Sequence, residues 1–203
     1  PDIKNLNKKD LCKYVDYYRL LLLYKYGGIW LDADTIVFKD LQIIIDKLKE
    51  PNISLIGFGC SSSSDNFKCK RKLPSNGVMA ANKESPILKT YIRKCDKKLK
   101  ENTDLKDYYA LGKYVLWDSL EEHNYKGFHL FDLRYDNQFK PEGGWFSPKN
   151  HIENKKLKLL DEDKVLFTYL YNSNYSEEIR NMTKSELLKS DMVMGQMFRK
   201  SLQ

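Results

Sequence analysis

The sequence predicts an α/β fold, and three observations carry the prediction. Stretches dense in β-branched and aromatic residues alternate with stretches whose apolar residues recur at helical spacing. Glycine, proline, serine and asparagine gather between them, where turns belong. With 203 residues, 41% of them hydrophobic, the chain can bury one good-sized core, so a single domain over 1–203 is the simplest organisation. No internal repeat is present.

The elements follow in order. Asp10 is placed to cap a helix running to about Tyr26, because Leu11, Tyr14, Val15, Tyr18, Leu21 and Leu22 recur at helical spacing. Being apolar on nearly every face, that helix should be buried. Gly27 fits the left-handed position that ends a helix. "IWLDADTIVF" (29–38) then predicts a buried strand interrupted at Asp32-Ala33-Asp34. A short helix is expected over 41–49, a strand over 53–59 and a polar loop at 61–66. Pro74-Ser75-Asn76 marks a turn before a strand at 77–81, and 85–100 reads as an amphipathic helix with Pro86 in its first turn. Further expectations are a helix at 105–122, a strand at 127–133, turn-rich chain at 139–150, a strand at 164–171 and helical structure from Ser176 to the end.

Composition narrows the function classes. The formal charge of +7 comes from lysines spread among 28 acidic residues, and the one dense basic run is Lys68–Lys72, "KCKRK". A solvated lysine-rich surface is favoured over a nucleic-acid patch, and a basic balance also suits an anionic small molecule such as a nucleotide. Cys12, Cys60, Cys69 and Cys95 form no CxxC pair and the three histidines lie far from them, which indicates neither a zinc site nor a disulfide framework. Reduced thiols are the default. Asn52, Asn174 and Asn181 open N-glycosylation patterns of a kind expected by chance in such a chain. No apolar run approaches the roughly 20 residues that span a bilayer and no signal peptide opens the chain, so a cytoplasmic location is expected; because the first residue is Pro1, targeting stays open.

Two sets of charged residues stand out. Asp16 and Arg19, three residues apart on the first helix, either pair with each other or line a cleft, where Arg19 would take anionic or carbonyl oxygens and Asp16 a hydroxyl. Asp32 and Asp34 end the apolar strand. Buried side by side they repel, and one would take up a proton unless a cation lay beside them. A divalent metal removes that cost, and carboxylate oxygens suit Mg2+ or Mn2+ bound together with nucleotide phosphates. The bland alternative is a solvated acidic turn. A second enzymatic reading is a haloacid-dehalogenase-like phosphatase with Asp32 as nucleophile, since "IWLDADTIV" fits the hhhDxDxT pattern and "LKLLDEDKV" (157–165) could be its late acidic motif. No Ser/Thr or Lys motif of that class stands between them.

The stretch "VDYYRLLLLYKYGGIWLDADTIVFKDL" closely resembles the segment that defines the glycosyltransferases with a DXD sugar-binding region, the family of initiating yeast mannosyltransferases, capsular polysaccharide transferases and large glucosylating toxins. Asp16, Arg19, Gly27, Gly28, Asp32 and Asp34 all fall on the shared pattern. Weaker echoes follow: "LPSNGVMAANKESPIL" with Asn76, "YALGKYVLWDSL" with Gly112 in place and Lys113 where proline is usual, and "TYLYNSNYSEE", where Tyr169 stands for a His and Tyr175 for a Trp. In compactness the chain is similar to small virus-encoded members.

The resemblance implies a compact GT-A-like nucleotide-diphospho-sugar transferase fold, with a mixed central sheet flanked by helices. It implies transfer of a sugar, with retention, from a nucleoside-diphosphate sugar (a UDP-sugar is favoured) to a glycan or protein-linked acceptor. Donor contacts fall to Asp16, Arg19, Asp32, Asn76, Ser173 and Tyr175, and the metal, Mn2+ or Mg2+, to Asp34 and Asp32. No catalytic base is assigned. Trp117 and Trp145 are candidates for stacking on an acceptor sugar, against the plainer reading of Trp as core. The family's opening nucleotide-binding strand has no counterpart here, so a fragment lacking that strand is expected. A sugar-nucleotide-binding module without transfer activity is the third reading.

Overall fold

The computed structural model describes residues 11–58, 74–103, 105–131, 166–169 and 176–202. Their architecture is mixed α/β, with a mixed sheet flanked by helices, as the sequence predicts. The elements divide between two compact units. Of the described residues, the first takes in 11–31, 42–58, 74–103 and 105–131, and the second 32–41, 166–169 and 176–202.

In the first unit, helix α1 (Leu11–Tyr26) leads into strand β1 (Gly28–Leu31). The junction needs glycine: Gly27 has φ +69°, its N–H donates to the Leu23 carbonyl at 2.8 Å, and a Cβ there would lie 2.9 Å from the Lys83 backbone nitrogen. Helix α2 (Gln42–Leu48) and strands β3 (Leu55–Phe58) and β4 (Ser75–Ala81) follow. Helix α3 (Pro86–Glu101) starts at the Ser85 cap with Pro86 inside its first turn and ends on Asn102 in the left-handed conformation. Helix α4 (Lys113–Glu122) and strand β5 (Phe128–Phe131) complete the unit.

The sheet runs β1-β4-β3-β5, with β4 antiparallel to both its neighbours and β3 parallel to β5. Gly28 to Leu31 pair with Ala81 to Val78, so β1 ends beside the start of β4, where Asn76 sits. Tyr17, Leu20 and Leu23 of α1 join Leu55, Met79, Leu88, Tyr91, Cys95, Leu116 and Leu120 in one core. Cys12 is exposed and Cys95 buried, and both are free thiols.

Among its described residues the second unit holds strand β2 (Thr35–Val37) paired antiparallel with strand β6 (Phe167–Tyr169), and the short helices α5 (Glu177–Asn181), α6 (Lys184–Lys189) and α7 (Val193–Ser201). Ile36, Ile179, Met192, Val193, Met194 and Met197 form its core.

Four expectations are corrected. The predicted strand over 29–38 is two strands in two sheets, because the Thr35 N–H closes a turn onto the Asp32 carbonyl at 3.0 Å and β2 leaves in another ladder. The helix expected from 105 begins at Lys113; before it, the Asp107 side chain accepts from the Tyr109 N–H at 2.7 Å and diverts the chain into turns. Asn76 belongs to β4 and not to a turn, since the register shift after Gly57 lets Phe58 pair with Ser75. The continuous C-terminal helix is broken in three by local caps, Ser176 accepting from the Ile179 N–H and Thr183 forming a reciprocal capping box with Glu186.

Helix α1 departs from its sequence pattern in a fifth way. It buries Lys13, Asp16, Tyr17, Arg19, Leu20 and Leu23, while Leu11, Tyr18, Leu22 and Tyr26 are exposed, Leu11 at 67% and Tyr26 at 66%. The cap expected at Asp10 lies outside the described residues, as do the basic run at 68–72, Cys60 and Cys69, the turn-rich stretch at 139–150 with Trp145, and the acidic segment at 157–165. No helix among the described residues is long and apolar enough to cross a membrane.

Candidate functional site

Asp16, Arg19 and Asn76 come together in the first unit. The Arg19 guanidinium lies 3.2 Å from Asp16 Oδ1, with both side chains almost wholly buried. The Asn76 amide donates to the same Oδ1 at 2.8 Å, and Arg19 Nη1 donates to the Asn76 carbonyl oxygen. The guanidinium also lies over the Trp30 ring, 5.4 Å from its centroid. The paired reading of Asp16 and Arg19 is therefore realised. It does not remove them from ligand chemistry, because a buried carboxylate held by an arginine and an amide is a preorganised acceptor for a hydroxyl.

The floor of this group is a glycine. A Cβ at Gly112 would lie 2.7 Å from Asp16 Oδ2 and 3.1 Å from Asn76 Nδ2, so the backbone approaches the carboxylate as no other residue would allow. The Tyr91 hydroxyl fixes this backbone from the other side, donating toward the carbonyls of Leu111 at 2.9 Å and Gly112 at 2.6 Å. Burial, with the Asp16 charge adding to it, pushes the Tyr91 phenol well above its ordinary value, so it remains a donor at any working pH.

Asp32 and Asp34 belong to the second unit. Both are half-buried in the turn that ends at Thr35, and Thr35 opens β2 directly opposite Tyr169 of β6. The ladder thus brings the start of the "TYLYNSNYSEE" segment alongside the aspartate turn, a long-range pairing that the sequence could not display. Ser173 and Tyr175 lie outside the described residues.

The Thr35 hydroxyl is the anomaly of this turn. Its Oγ1 is buried with no hydrogen-bond partner, a condition that costs about 1–3 kcal/mol and is rare in native structures. Among the described residues no three His, Cys, Asp or Glu side chains gather as a metal cage. Two carboxylates and a hydroxyl, all oxygen donors, nevertheless fit a hard divalent cation that takes the rest of its ligands from phosphate or water.

Sequence reasoning missed Trp30, Tyr91 and Thr35, and read Gly112 only as part of a pattern. Trp30 and Tyr91 look like ordinary aromatic core in sequence. Trp117, a candidate for sugar stacking, is half-buried; its indole N–H donates to the Pro74 carbonyl at 2.8 Å and its ring meets Tyr114 edge-on at 5.4 Å, a packing role. Lys113, which stands where the family usually has proline, places its ammonium 3.9 Å from the Tyr109 ring centroid.

Residues 2–51, which carry Asp16, Arg19, Asp32 and Asp34, match the family model described as "Glycosyltransferase sugar-binding region containing DXD motif". Among solved structures the chain is similar to one titled "PaToxG Glycosyltransferase", at 19% identity with a TM-score of 0.41, over 57% of this chain and 36% of that one. It therefore spans about a third of that protein's length. No curated protein matches it.

Proposed function

We propose that this chain is a metal-dependent glycosyltransferase domain that moves a sugar from a nucleoside-diphosphate sugar, with a UDP-sugar favoured, to a glycan or protein-linked acceptor. The observation that carries the reading is the half-buried Asp32–Asp34 turn within the matched sugar-binding region, followed directly by Thr35, which pairs with Tyr169. Asp34, with Asp32, would hold Mn2+ or Mg2+. When bound, such a cation supplies Lewis-acid neutralisation of the charge on a departing diphosphate.

The protein's own groups have separate tasks. Asp16 accepts from a donor hydroxyl while Arg19 and Asn76 hold its carboxylate in place, and Gly112 keeps the approach to that carboxylate free of side chain. Asp32 accepts from a ribose or sugar hydroxyl, and Ser173 and Tyr175 are assigned to the donor by the sequence resemblance. Retention of anomeric configuration rests on the same resemblance. No general base is assigned to any residue.

The test is a panel of nucleotide sugars with Mn2+, following release of UDP or GDP, with Asp34→Ala and a chelated sample in parallel. We expect release from one donor, lost on chelation and reduced at least about a hundredfold in the variant. Hydrolysis of p-nitrophenyl phosphate with no donor cleaved would replace this reading by the phosphatase one. Saturable donor binding with no release would leave a binding module.

A further inference from the structure

Four aromatic rings are linked by contacts around the start of α4. Tyr108 meets Tyr109 edge-on with ring centroids 4.8 Å apart, Tyr109 meets Tyr114 at 5.6 Å, and Tyr114 meets Trp117 at 5.4 Å. The fold holds the inner members: the Trp117 indole donates to the Pro74 carbonyl, the Asp107 side chain accepts from the Tyr109 N–H, and the Lys113 ammonium lies 3.9 Å from the Tyr109 ring centroid and 5.5 Å from that of Tyr114. The outer rings face water, Tyr108 being 62% exposed and Tyr114 43%. A single exposed aromatic needs no explanation, but two held in one set of contacts present a preformed apolar surface. This surface adjoins the Asp16 group. Gly112, which approaches Asp16 Oδ2, immediately precedes Lys113. A hydrogen bond with the Cys12 thiol, partial burial and the charges of Cys12 and Asp16 push the Tyr108 phenol up to about 12, so the Asp16 charge reaches the most exposed ring of the set.

A pyranose ring has the chemistry for such a surface: its axial C–H bonds make an apolar face that lies on an aromatic ring while its hydroxyls stay in water. Tyrosine suits the purpose because it offers a large, rigid face at little conformational cost. The two exposed rings match the size of a short glycan and fall far short of the roughly 800 Å² that each side of a stable protein interface buries. We infer that Tyr108 and Tyr114 form the platform on which a sugar ring of the acceptor stacks, beside the Asp16 group, so that the acceptor is recognised as a glycan and not through a protein surface. The inference rests on reading the chain as a glycosyltransferase that holds its donor at Asp16. It moves the stacking role from Trp117, which is tied to Pro74, to the tyrosines that its ring supports.

The experiment titrates cellotetraose, maltotetraose, mannotetraose and tetragalacturonate into the full chain by calorimetry, with UDP and GDP plus Mn2+ titrated separately to read the donor site. Wild type, Tyr108→Ala, Tyr114→Ala and Tyr108→Phe are compared, and each is melted to show that it folds, as exposed positions allow. The expected result is that one tetrasaccharide binds saturably and that each alanine variant weakens it about tenfold, the scale of a lost aromatic stacking contact. Tyr108→Phe, which keeps the ring, should stay close to wild type. Alanine variants that bind as tightly as wild type overturn the platform. So does a Tyr108→Phe that falls as far as Tyr108→Ala, since the hydroxyl and not the ring would then matter. Concentration-dependent dimerisation of wild type, abolished in Tyr108→Ala, would assign the rings to a second copy and overturn it too. Should no tetrasaccharide bind while UDP or GDP does, the platform is overturned and the donor reading stands. Should neither nucleotide bind, the donor reading fails and the acceptor role with it.

Discussion

Asp16 and Arg19 show how charge is carried inside this protein. A buried ion pair is expensive to desolvate and contributes little net stability, but removing one member exposes the cost of the other. Asp16→Ala should therefore lower stability by about 3 kcal/mol, because the buried Arg19 guanidinium loses its carboxylate. The double variant Asp16→Ala/Arg19→Met should lose less than the single one, and urea denaturation of the two single variants and the double one measures the coupling. If the losses simply add, the pair is not coupled. In sequence, the i,i+3 spacing and the apolar surroundings announced that the two residues would be paired or ligand-facing. That they pair, with Asn76 joining Asp16 from 60 residues away, needed the sheet.

Helix α1 is where local pattern and tertiary packing disagree most. An apolar periodicity names a face but does not choose it when apolar residues occur on every side, and here the core selects Tyr17, Leu20 and Leu23. Leu20→Ala should cost about 2–5 kcal/mol in a denaturant titration, since its side chain is fully buried. Leu22→Lys should shift stability by no more than about 0.5 kcal/mol, since Leu22 is 46% exposed. Equal losses at both positions would mean that the exposed stripe of Leu11, Tyr18, Leu22 and Tyr26 is covered in solution. The boundaries of α3, set by Ser85, Pro86 and Asn102, were legible because caps act within one turn. The division of 29–38 into β1 and β2 was legible only as an interruption, because nothing local says which ladder a strand will join.

For the whole molecule, titration gives a prediction with a definite sign. Tyr17, Tyr91 and Cys95 are buried in the core of the first unit, and burial pushes all three above their ordinary values; the Asp96 carboxylate adds to the effect at Tyr17, and Asp16 adds to it at Cys95. The folded state thus keeps protons that the unfolded chain gives up above about pH 8.5 for a thiol and about pH 10 for a phenol. Stability from these groups is complete below those values and is lost as the pH rises past them. Melting temperature should fall on the alkaline side, beginning near the thiol, and Cys95→Ala should move the onset up to the phenol range. An alkaline limb identical in the variant would remove Cys95 from the account. On the acid side, partial burial and the nearby Lys47 lower the His129 pKa. The unfolded chain therefore binds that proton first, so stability falls as the pH drops below about 6.5.

The sequence by itself determined the α/β class, the helix-glycine-strand lead into Asp32 and the match of residues 2–51 to a sugar-binding family model. Each of these depends on spacing within a few turns of chain. Only the tertiary structure decided that Gly112 lies against Asp16, that Asn76 joins the Arg19 pair from the start of β4, and that Thr35 stands opposite Tyr169 with its hydroxyl unpartnered. These depend on strand register and on which face of α1 enters the core, and such choices are made by the packing of segments distant in sequence, whose net free energy no local propensity encodes.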